Sequence, residues 1–433
     1  MSKVAFITLG CKVNQYETNA MSQEFIEKGY ELVEHHKKAD IYVINTCTVT
    51  NMSDRKSRQM LRRVKELNPN SIVIACGCYV QVAKDEVAKI ENIDLILGNN
   101  EKKNIVEHLE QYQKDKKRQL EIEDLMQQRE FVEFGDVTYT EKTRAVVKIQ
   151  DGCDRFCSYC IIPYARGRVR SRKPEGIISE ITKIAQEGIK EVVITGIHVA
   201  SYGKDFKENY GLINLLEDLN KIEGIERIRL SSIEPLILDE QFINRLSKLE
   251  KICHNFHLSL QSGCDETLKR MNRRYNTEQF KTVVNLIRNT YKDAILTADV
   301  IVGFPGETEE EFEKTYKFLE DVKFYKTHVF KYSPRKGTKA AVMENQIDGN
   351  IKEQRSKKLI ELSNNFEKEY NESYKGKTVE VLWEEEKEGI YKGHTQNYLL
   401  AYYKPEKGDM NLENKITKAN CLSAESDHII VEI

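Results

Sequence analysis

A chain of 433 residues, at roughly 150 per domain, has room for two to four domains, each large enough to bury its own core. With 40% hydrophobic and 31% charged residues it reads as a water-soluble globular protein, and a formal net charge of −2 excludes a generally basic nucleic-acid binder, so any RNA site must be local. Ten cysteines in so long a chain do not make a secreted disulfide framework, and no apolar run reaches membrane-spanning length, so no membrane partner is expected and a reducing cytoplasm is the expected compartment. The opening residues, Met1-Ser-Lys-Val-Ala-Phe6, lack the apolar core of a secretion signal.

Residues 1–115 alternate short β-rich runs with amphipathic stretches, the pattern of an open parallel sheet with helices on its faces. Strands are expected at 3–9, 40–46, 71–76 and 93–97. Three of them run into a cysteine in a turn: Gly10-Cys11, Thr46-Cys47 and Gly77-Cys78. The carboxyl ends of parallel strands share one edge of an open sheet, so Cys11, Cys47 and Cys78 are expected to converge on a three-thiolate metal site although they are far apart in sequence. A single cysteine after a strand reads as a small buried hydrophobe. Cys76, alternating with Cys78, is assigned that role and is expected to point into the sheet core.

Residues 116–142, rich in Lys, Gln and Glu, read as a linker or surface excursion. The βα rhythm resumes over 143–368. Strands are expected at 145–149, 191–195, 227–232, 256–260, 296–302 and 328–332, and helices at 175–186, 212–221, 278–288 and 309–321. Six βα units point to a barrel or partial barrel with its active site at the carboxyl ends of the strands. The first strand leads into Asp151-Gly-Cys-Asp-Arg-Phe-Cys-Ser-Tyr-Cys160, which holds three thiolate candidates, Cys153, Cys157 and Cys160. Structural zinc normally takes four protein ligands, and the next cysteine is Cys253. Three thiolates on a cubane iron–sulfur cluster leave one iron open to chelate a small molecule and pass it an electron.

Later strand ends carry Gly196-Ile-His198, Glu234-Pro235, Gln261-Ser-Gly-Cys264 and Gly303-Phe-Pro-Gly-Glu307. Gly196, Gly303 and Gly306 lack a Cβ that would hold a nucleoside away from the backbone, so they are cofactor-binding candidates; alone, each is an ordinary turn residue. His198 reads as a catalytic or a core histidine. Arg166, Arg168 and Arg170, followed by Arg172, alternate after the cysteine loop and, if extended, lie on one face suited to RNA phosphates. The other reading is a basic segment paired with acids elsewhere.

Residues 350–368 read as one polar helix. Over 369–433 the pattern changes to short alternating runs, the mark of a small antiparallel β-barrel. Barrels of this size bind nucleic acid through aromatic and basic side chains, and Tyr391, Lys392, His394, Asn397 and Tyr398 are candidates. From residue 370 onward eight Lys and no Arg stand against twelve Asp or Glu, so an RNA role cannot rest on charge.

The motifs Leu9-Gly-Cys-Lys-Val-Asn14, Asn45-Thr-Cys-Thr48, Gly77-Cys-Tyr-Val-Gln81, Cys160-Ile-Ile-Pro-Tyr-Ala-Arg166, Thr195-Gly-Ile-His198, Leu260-Gln-Ser-Gly263 and the run 299–307 together resemble the radical S-adenosylmethionine (AdoMet) methylthiotransferases over nearly the whole chain. Gln150-Asp-Gly-Cys-Asp-Arg-Phe-Cys157 and the Thr195 motif resemble the branch that converts N6-threonylcarbamoyladenosine at tRNA position 37 to its 2-methylthio form. The resemblance implies an α/β chain of three parts. An N-terminal open parallel sheet (1–115) binds one [4Fe-4S] cluster through Cys11, Cys47 and Cys78. A linker (116–142) leads to a radical AdoMet partial (β/α)6 barrel (143–368), which binds a second cluster through Cys153, Cys157 and Cys160, with Tyr159 beside AdoMet. A TRAM β-barrel (369–433) binds tRNA.

Under that resemblance the second cluster and AdoMet generate a radical that takes hydrogen from adenosine C2, the first cluster carries the sulfur to be inserted, and a second AdoMet supplies the methyl group. An electron donor and a sulfur source are further implied partners. The sister activities, on isopentenyladenosine-37 tRNA or a ribosomal-protein aspartate, stay open at this point. So does a non-catalytic iron–sulfur carrier or RNA-binding protein, although a carrier has no use for the strand-end turns and an RNA binder none for six thiolates.

Overall fold

The computed structural model describes residues 1–135, 137, 143–405 and 411–433. The first sheet contains β1 (Lys3–Thr8), β2 (Glu31–Val33), β3 (Ile41–Thr46), β4 (Ile72–Gly77), β5 (Leu95–Leu97) and β6 (Gln119–Glu121), all parallel in the order β2-β1-β3-β4-β5-β6. Every residue of β3 is buried, because helices cover both faces of a parallel sheet; Ile41 to Ile44 are apolar, and the buried Asn45 and Thr46 donate to the carbonyls of Asn14 and Cys76. One of the covering helices is α1 (Lys12–Glu27). Cys76 lies fully buried among Val4, Met21 and Phe25, as its alternation predicts.

The edge strands β2 and β6 were not anticipated. β6 falls inside the expected linker, so the sheet continues past residue 115, joined to β5 in parallel register with Gly98 N–H donating to the Glu121 carbonyl at 2.7 Å. Three residues are too short to carry a period of two, which is why the sequence reads as loop there. Residues 136 and 138–142 of the expected linker lie outside the described residues.

The central part contains β7 (Arg144–Asp151), β8 (Arg170–Ser171), β9 (Glu191–Gly196), β10 (Arg227–Leu230), β11 (Asn255–Gln261), β12 (Ile295–Val302) and β13 (Lys326–Lys331). The order is β8-β7-β9-β10 and β11-β12-β13, all parallel except β8. Isolated parallel bridges, Ile228 to Ile252 and Ile233 to Leu258, carry the curve from one group to the other, so the six parallel strands form a partial barrel. Between β7 and β8 lies the short helix α2 (Ile162–Arg166), and after β13 the long helix α3 (Gly349–Glu372). The outward strand face packs on the helices, and the inward face of β11 and β12 carries His257, Ser259, Thr297 and Asp299, each half-buried between buried neighbours.

At the C-terminal end β14 (Thr378–Lys387), β15 (Ile390–Thr395), β16 (Leu400–Tyr403), β17 (Ile416–Ala424) and β18 (Ile429–Glu432) close into a barrel in the order β14-β15-β16-β18-β17 around Trp383. The expectation of antiparallel pairing holds at every seam but one: β16 and β18 are parallel. A closed ring of five strands cannot reverse direction at every seam, so one such pair is forced by the odd number.

Candidate active site

β1, β3 and β4 are neighbours in the first sheet, and their carboxyl ends deliver Cys11, Cys47 and Cys78 to one edge. Gly10, at φ +109°, comes so close to Cys47 that a Cβ there would lie 2.9 Å from the Cys47 sulfur. Asn14 fastens the arrangement, donating to the carbonyls of Leu9 at 2.6 Å and Thr46 at 3.0 Å. Ser57 holds Cys47 by donating to its carbonyl at 3.0 Å. Burial pushes the Cys11 and Cys47 thiols up; Arg166 opposes at Cys11, and Cys78 raises both.

The second group sits on the loop after β7. Gly152, at φ +72°, leaves no room for a side chain against the Arg168 carbonyl. Phe156 adopts the left-handed region at φ +46°, uncommon for a bulky residue, and Asn272 holds its carbonyl at 3.0 Å. Ser158 donates to the Arg270 carbonyl at 2.8 Å. Burial, with repulsion from Cys157, pushes Cys153 up to about 11 and Cys160 to about 12. Arg273 donates to the Cys157 sulfur at 3.2 Å, and Arg166 to the Cys78 sulfur at 3.1 Å, so each trio has one guanidinium on one of its sulfurs.

Among the described residues no three His, Cys, Asp or Glu side chains close on a single metal ion, and every cysteine is free. Each trio offers three thiols, where a structural zinc site takes four protein ligands. The trios fit iron–sulfur clusters: three soft sulfur donors each, with an arginine N–H donating to one sulfur of each trio.

The two trios are locked together by buried charge. Arg166, 0% exposed, closes α2 and donates to both oxygens of Glu17 on α1 and to Asn14 Oδ1 at 2.6 Å. Glu17 also receives Lys102 at 2.5 Å and Lys148 at 2.7 Å, and Asp151 receives Lys148 at 2.5 Å. Burial alone would raise these carboxyls. The cations outweigh it, taking Glu17 well below its usual range and Asp151 to about 2. Sequence reasoning missed this network. Its one sequence signal is Lys148, a charge in the middle of an apolar strand.

The expected phosphate face of Arg166, Arg168 and Arg170 does not form. The segment is a helix, a turn at Gly167 (φ +74°) and a two-residue strand, so the alternation breaks. Arg166 and Arg170 are buried, Arg170 donating to the Arg166 carbonyl at 2.9 Å. Arg172 is held by Glu180 and, at 2.8 Å, by Glu133. Only Arg168 of this run reaches solvent, with 44% of its side chain exposed, 3.2 Å from Asp154.

Two of the glycine cradles are also corrected. The space beside Gly303 is filled by Lys352 of α3, and its N–H donates to Glu307 at 2.9 Å. The Gly306 N–H donates to the Asn345 carbonyl at 2.9 Å. Both have positive φ, +70° and +75°, which explains glycine there without a ligand. Gly196 instead lines the central cavity. Tyr159 packs edge-on against Phe304, ring centres 6.4 Å apart, and so braces the cysteine loop. His198 bonds Ser201 at 2.7 Å and faces Glu234 at 3.5 Å.

The candidate RNA face of the small barrel is largely turned inward. Tyr391 is buried against Trp383. His394 bonds Glu384 at 2.6 Å and stacks on Tyr398, while Asn397 donates to the Asp293 carbonyl at 2.7 Å. Arg227 donates to the His394 carbonyl at 2.9 Å, Arg144 to Glu384 at 2.6 Å, and Arg229 lies 4.2 Å over the Tyr398 ring. These residues dock the barrel on the central domain, a use that aromatic and polar residues serve as readily as RNA contact. Lys392 stays at the surface, paired with Glu385 at 3.1 Å.

A cavity of about 810 Å³ in the barrel lumen is lined by Cys11, Lys12, Gly196, Arg229, Asp299 and Tyr398 among others. His257 bonds Thr297 at 2.8 Å and lies 3.1 Å from Asp299. These wall residues were legible as polar groups at every second position of β11 and β12, but the alternation was not followed inward.

Residues 147–319 match the model of the radical SAM superfamily and residues 3–98 that of the uncharacterized protein family UPF0004. Over 430 residues the chain is 42% identical to threonylcarbamoyladenosine tRNA methylthiotransferase MtaB of Bacillus subtilis, covering 98% of this chain and 94% of that protein. It is 35% identical over 433 residues to tRNA-2-methylthio-N(6)-dimethylallyladenosine synthase of Clostridium botulinum, covering 98% and 96%. Among solved structures the radical S-adenosylmethionine methyltransferase TsrM of Kitasatospora setae, with cobalamin and a [4Fe-4S] cluster bound, shares the fold at a TM-score of 0.57 and 15% identity, covering 79% of this chain and 77% of that one.

Proposed function

The chain belongs to the radical AdoMet tRNA methylthiotransferases, and on that footing we propose that it converts N6-threonylcarbamoyladenosine at position 37 of tRNA to the 2-methylthio derivative. The observation that carries the reading is that Cys11, one of the three thiols gathered by the first sheet, lines the lumen of the barrel that bears the second trio. A base held in that lumen would lie against the first site, inside the domain that carries the second trio.

Cys153, Cys157 and Cys160 would hold the cluster that serves AdoMet, and Cys11, Cys47 and Cys78 would hold the other [4Fe-4S] cluster. When bound, these groups supply the radical that activates adenosine C2, the inserted sulfur and the transferred methyl group. The protein's own part is positional. Arg273 and Arg166 donate to ligand sulfurs, and the Glu17 network fixes the distance between the sites. Gly196 lines the cavity, and a Cβ there would sit 3.0 Å from both Gln150 oxygens, so the close approach to the neighbouring strand favours glycine. The first sheet with its edge strand β6, the partial barrel and the C-terminal small barrel divide the labour as sulfur site, radical site and tRNA docking. An external electron donor and a sulfur source complete the reaction. No helix among the described residues is long and apolar enough to cross a membrane, and we place the enzyme with its tRNA in the cytoplasm.

Mass spectrometry of tRNA nucleosides from a deletion strain tests the assignment. Threonylcarbamoyladenosine should accumulate as its 2-methylthio form disappears, and the intact gene should reverse this. Loss of the 2-methylthio group from isopentenyladenosine, or from a ribosomal-protein aspartate with tRNA unchanged, would move the chain to a sister branch.

A further inference from the structure

The lumen contains a lysine that no described residue neutralises. Lys12 opens α1 immediately after Cys11 and stands exposed on the cavity wall. Among the described residues, no hydrogen bond or ion pair reaches its ammonium. The neighbouring cations are all engaged: Arg229 with Glu191 at 2.7 Å, Arg144 with Glu191 and Glu384 at 2.6 Å each, and Lys326 with Glu367. Of the charged groups that bear on Lys12, Arg229 and Arg144 repel it, and the one attractive group, Glu191, is already bonded to both arginines. This end of the cavity therefore carries a positive potential that an anion would satisfy.

The proposed substrate brings one. Threonylcarbamoyladenosine ends its N6 substituent in the free carboxylate of threonine, whereas a dimethylallyl substituent is uncharged. C2 and the N6-bearing C6 flank N1 on the same edge of the adenine ring. A base presenting C2 to the Cys11 site therefore projects its N6 substituent along that edge, where Lys12 is the next residue. Resting on the function proposed above, we infer that Lys12 is the specificity residue of this enzyme: its ammonium receives the threonyl carboxylate and so selects that modified adenosine over a neutral one. A charge-assisted hydrogen bond of this kind is worth on the order of ten- to hundred-fold in kcat/KM, and a neutral substituent forfeits it.

The test uses reconstituted full-length enzyme and two anticodon stem-loops, one with threonylcarbamoyladenosine and one with dimethylallyladenosine. Lys12→Met should lower kcat/KM on the first by about ten- to hundred-fold and collapse the preference between them. Lys12→Arg should restore much of it, while iron content and AdoMet cleavage without RNA stay at wild-type level. A third stem-loop, carrying the methyl ester of the threonyl carboxylate, asks the question without altering the protein. Wild type should lose a similar factor on the ester, and Lys12→Met should lose nothing further. Wild type that discriminates while the ester costs nothing, or Lys12→Met that keeps the preference, would overturn the role of Lys12. Wild type inactive on the threonylcarbamoyl stem-loop would instead overturn the function proposed above.

Discussion

The second trio of thiols comes from one short stretch between β7 and α2, whereas the first comes from three strand ends that only the folded sheet brings together. The loop carries its own supports: a glycine at positive φ, a phenylalanine in the left-handed region and a serine tied to the Arg270 carbonyl. The sheet-edge site has its Asn14 and Ser57 ties, but it also depends on the other site's segment, because Arg166 reaches from the end of α2 to the Cys78 sulfur. The two sites thus differ in where their thiols and sulfur contacts come from, while the Glu17 network is shared by both. The radical site draws its three thiols from one segment, and the sulfur site takes one of its sulfur contacts from the radical domain.

The sharpest way to break this asymmetry is to delete one trio at a time. Replacing Cys153, Cys157 and Cys160 by alanine should remove half of the reconstituted iron and all reductive cleavage of AdoMet. Replacing Cys11, Cys47 and Cys78 should remove a similar share of iron and end methylthiolation, while cleavage of AdoMet to 5′-deoxyadenosine continues. Methylthiolation at the normal rate in the second variant would return those thiols to the status of core residues.

A smaller effect tests the lock between the sites. Glu17→Gln strips the shared anion from Lys102, Lys148 and Arg166, leaving buried cations short of a partner. Losing one member of such a group costs about 3–5 kcal/mol, read as an early unfolding transition in thermal melts. The pH dependence has a definite sign. Glu17 and Asp151 titrate below their ordinary values of 4.5 and 3.8 in the folded chain, so their contribution is whole above about pH 4.5 and drains as pH falls toward 2. Glu17→Gln should flatten that acid limb, and iron at the first site should fall before iron at the second.

How much of this could be read from the sequence follows from how far apart the partners lie. Cys153, Cys157 and Cys160 announce themselves by spacing, and Cys11, Cys47 and Cys78 by their place after predicted parallel strands, so both trios were legible. Cys76 was legible because strand alternation is a local rule. The arginine run was misread because its alternation is local too, while Glu17, the partner of Arg166, is 149 residues away. The small barrel misled for a related reason: Tyr391, His394 and Tyr398 look the same in sequence whether they face RNA, a barrel core or the belt of Arg144, Arg227 and Arg229. Lys12 is in plain view within a motif, yet only the folded lumen shows that no described residue pairs with it.

The mildest prediction divides that same arginine run. Arg168 alone projects from the outer side of the cysteine loop, its guanidinium 4.9 Å over Phe156 and held weakly by an exposed Asp154. Exposed ion pairs of this kind contribute little to stability, so Arg168→Ala should leave folding, iron content and AdoMet cleavage intact. A guanidinium in that position can still meet a phosphate of the anticodon loop as the base enters the lumen. For every phosphate the protein no longer neutralises, the slope of log affinity against log salt falls by about 0.7–0.9. Arg168→Ala should therefore weaken tRNA binding a few-fold at low salt, with a slope shallower by less than about one, and the difference should fade as salt rises. Arg166→Ala should do the reverse, lowering first-site iron and leaving the salt slope of the folded fraction unchanged. If Arg168→Ala binds tRNA with wild-type affinity and slope, the loop that carries the radical site faces the base but not the backbone, and tRNA docking falls to the surfaces beyond it.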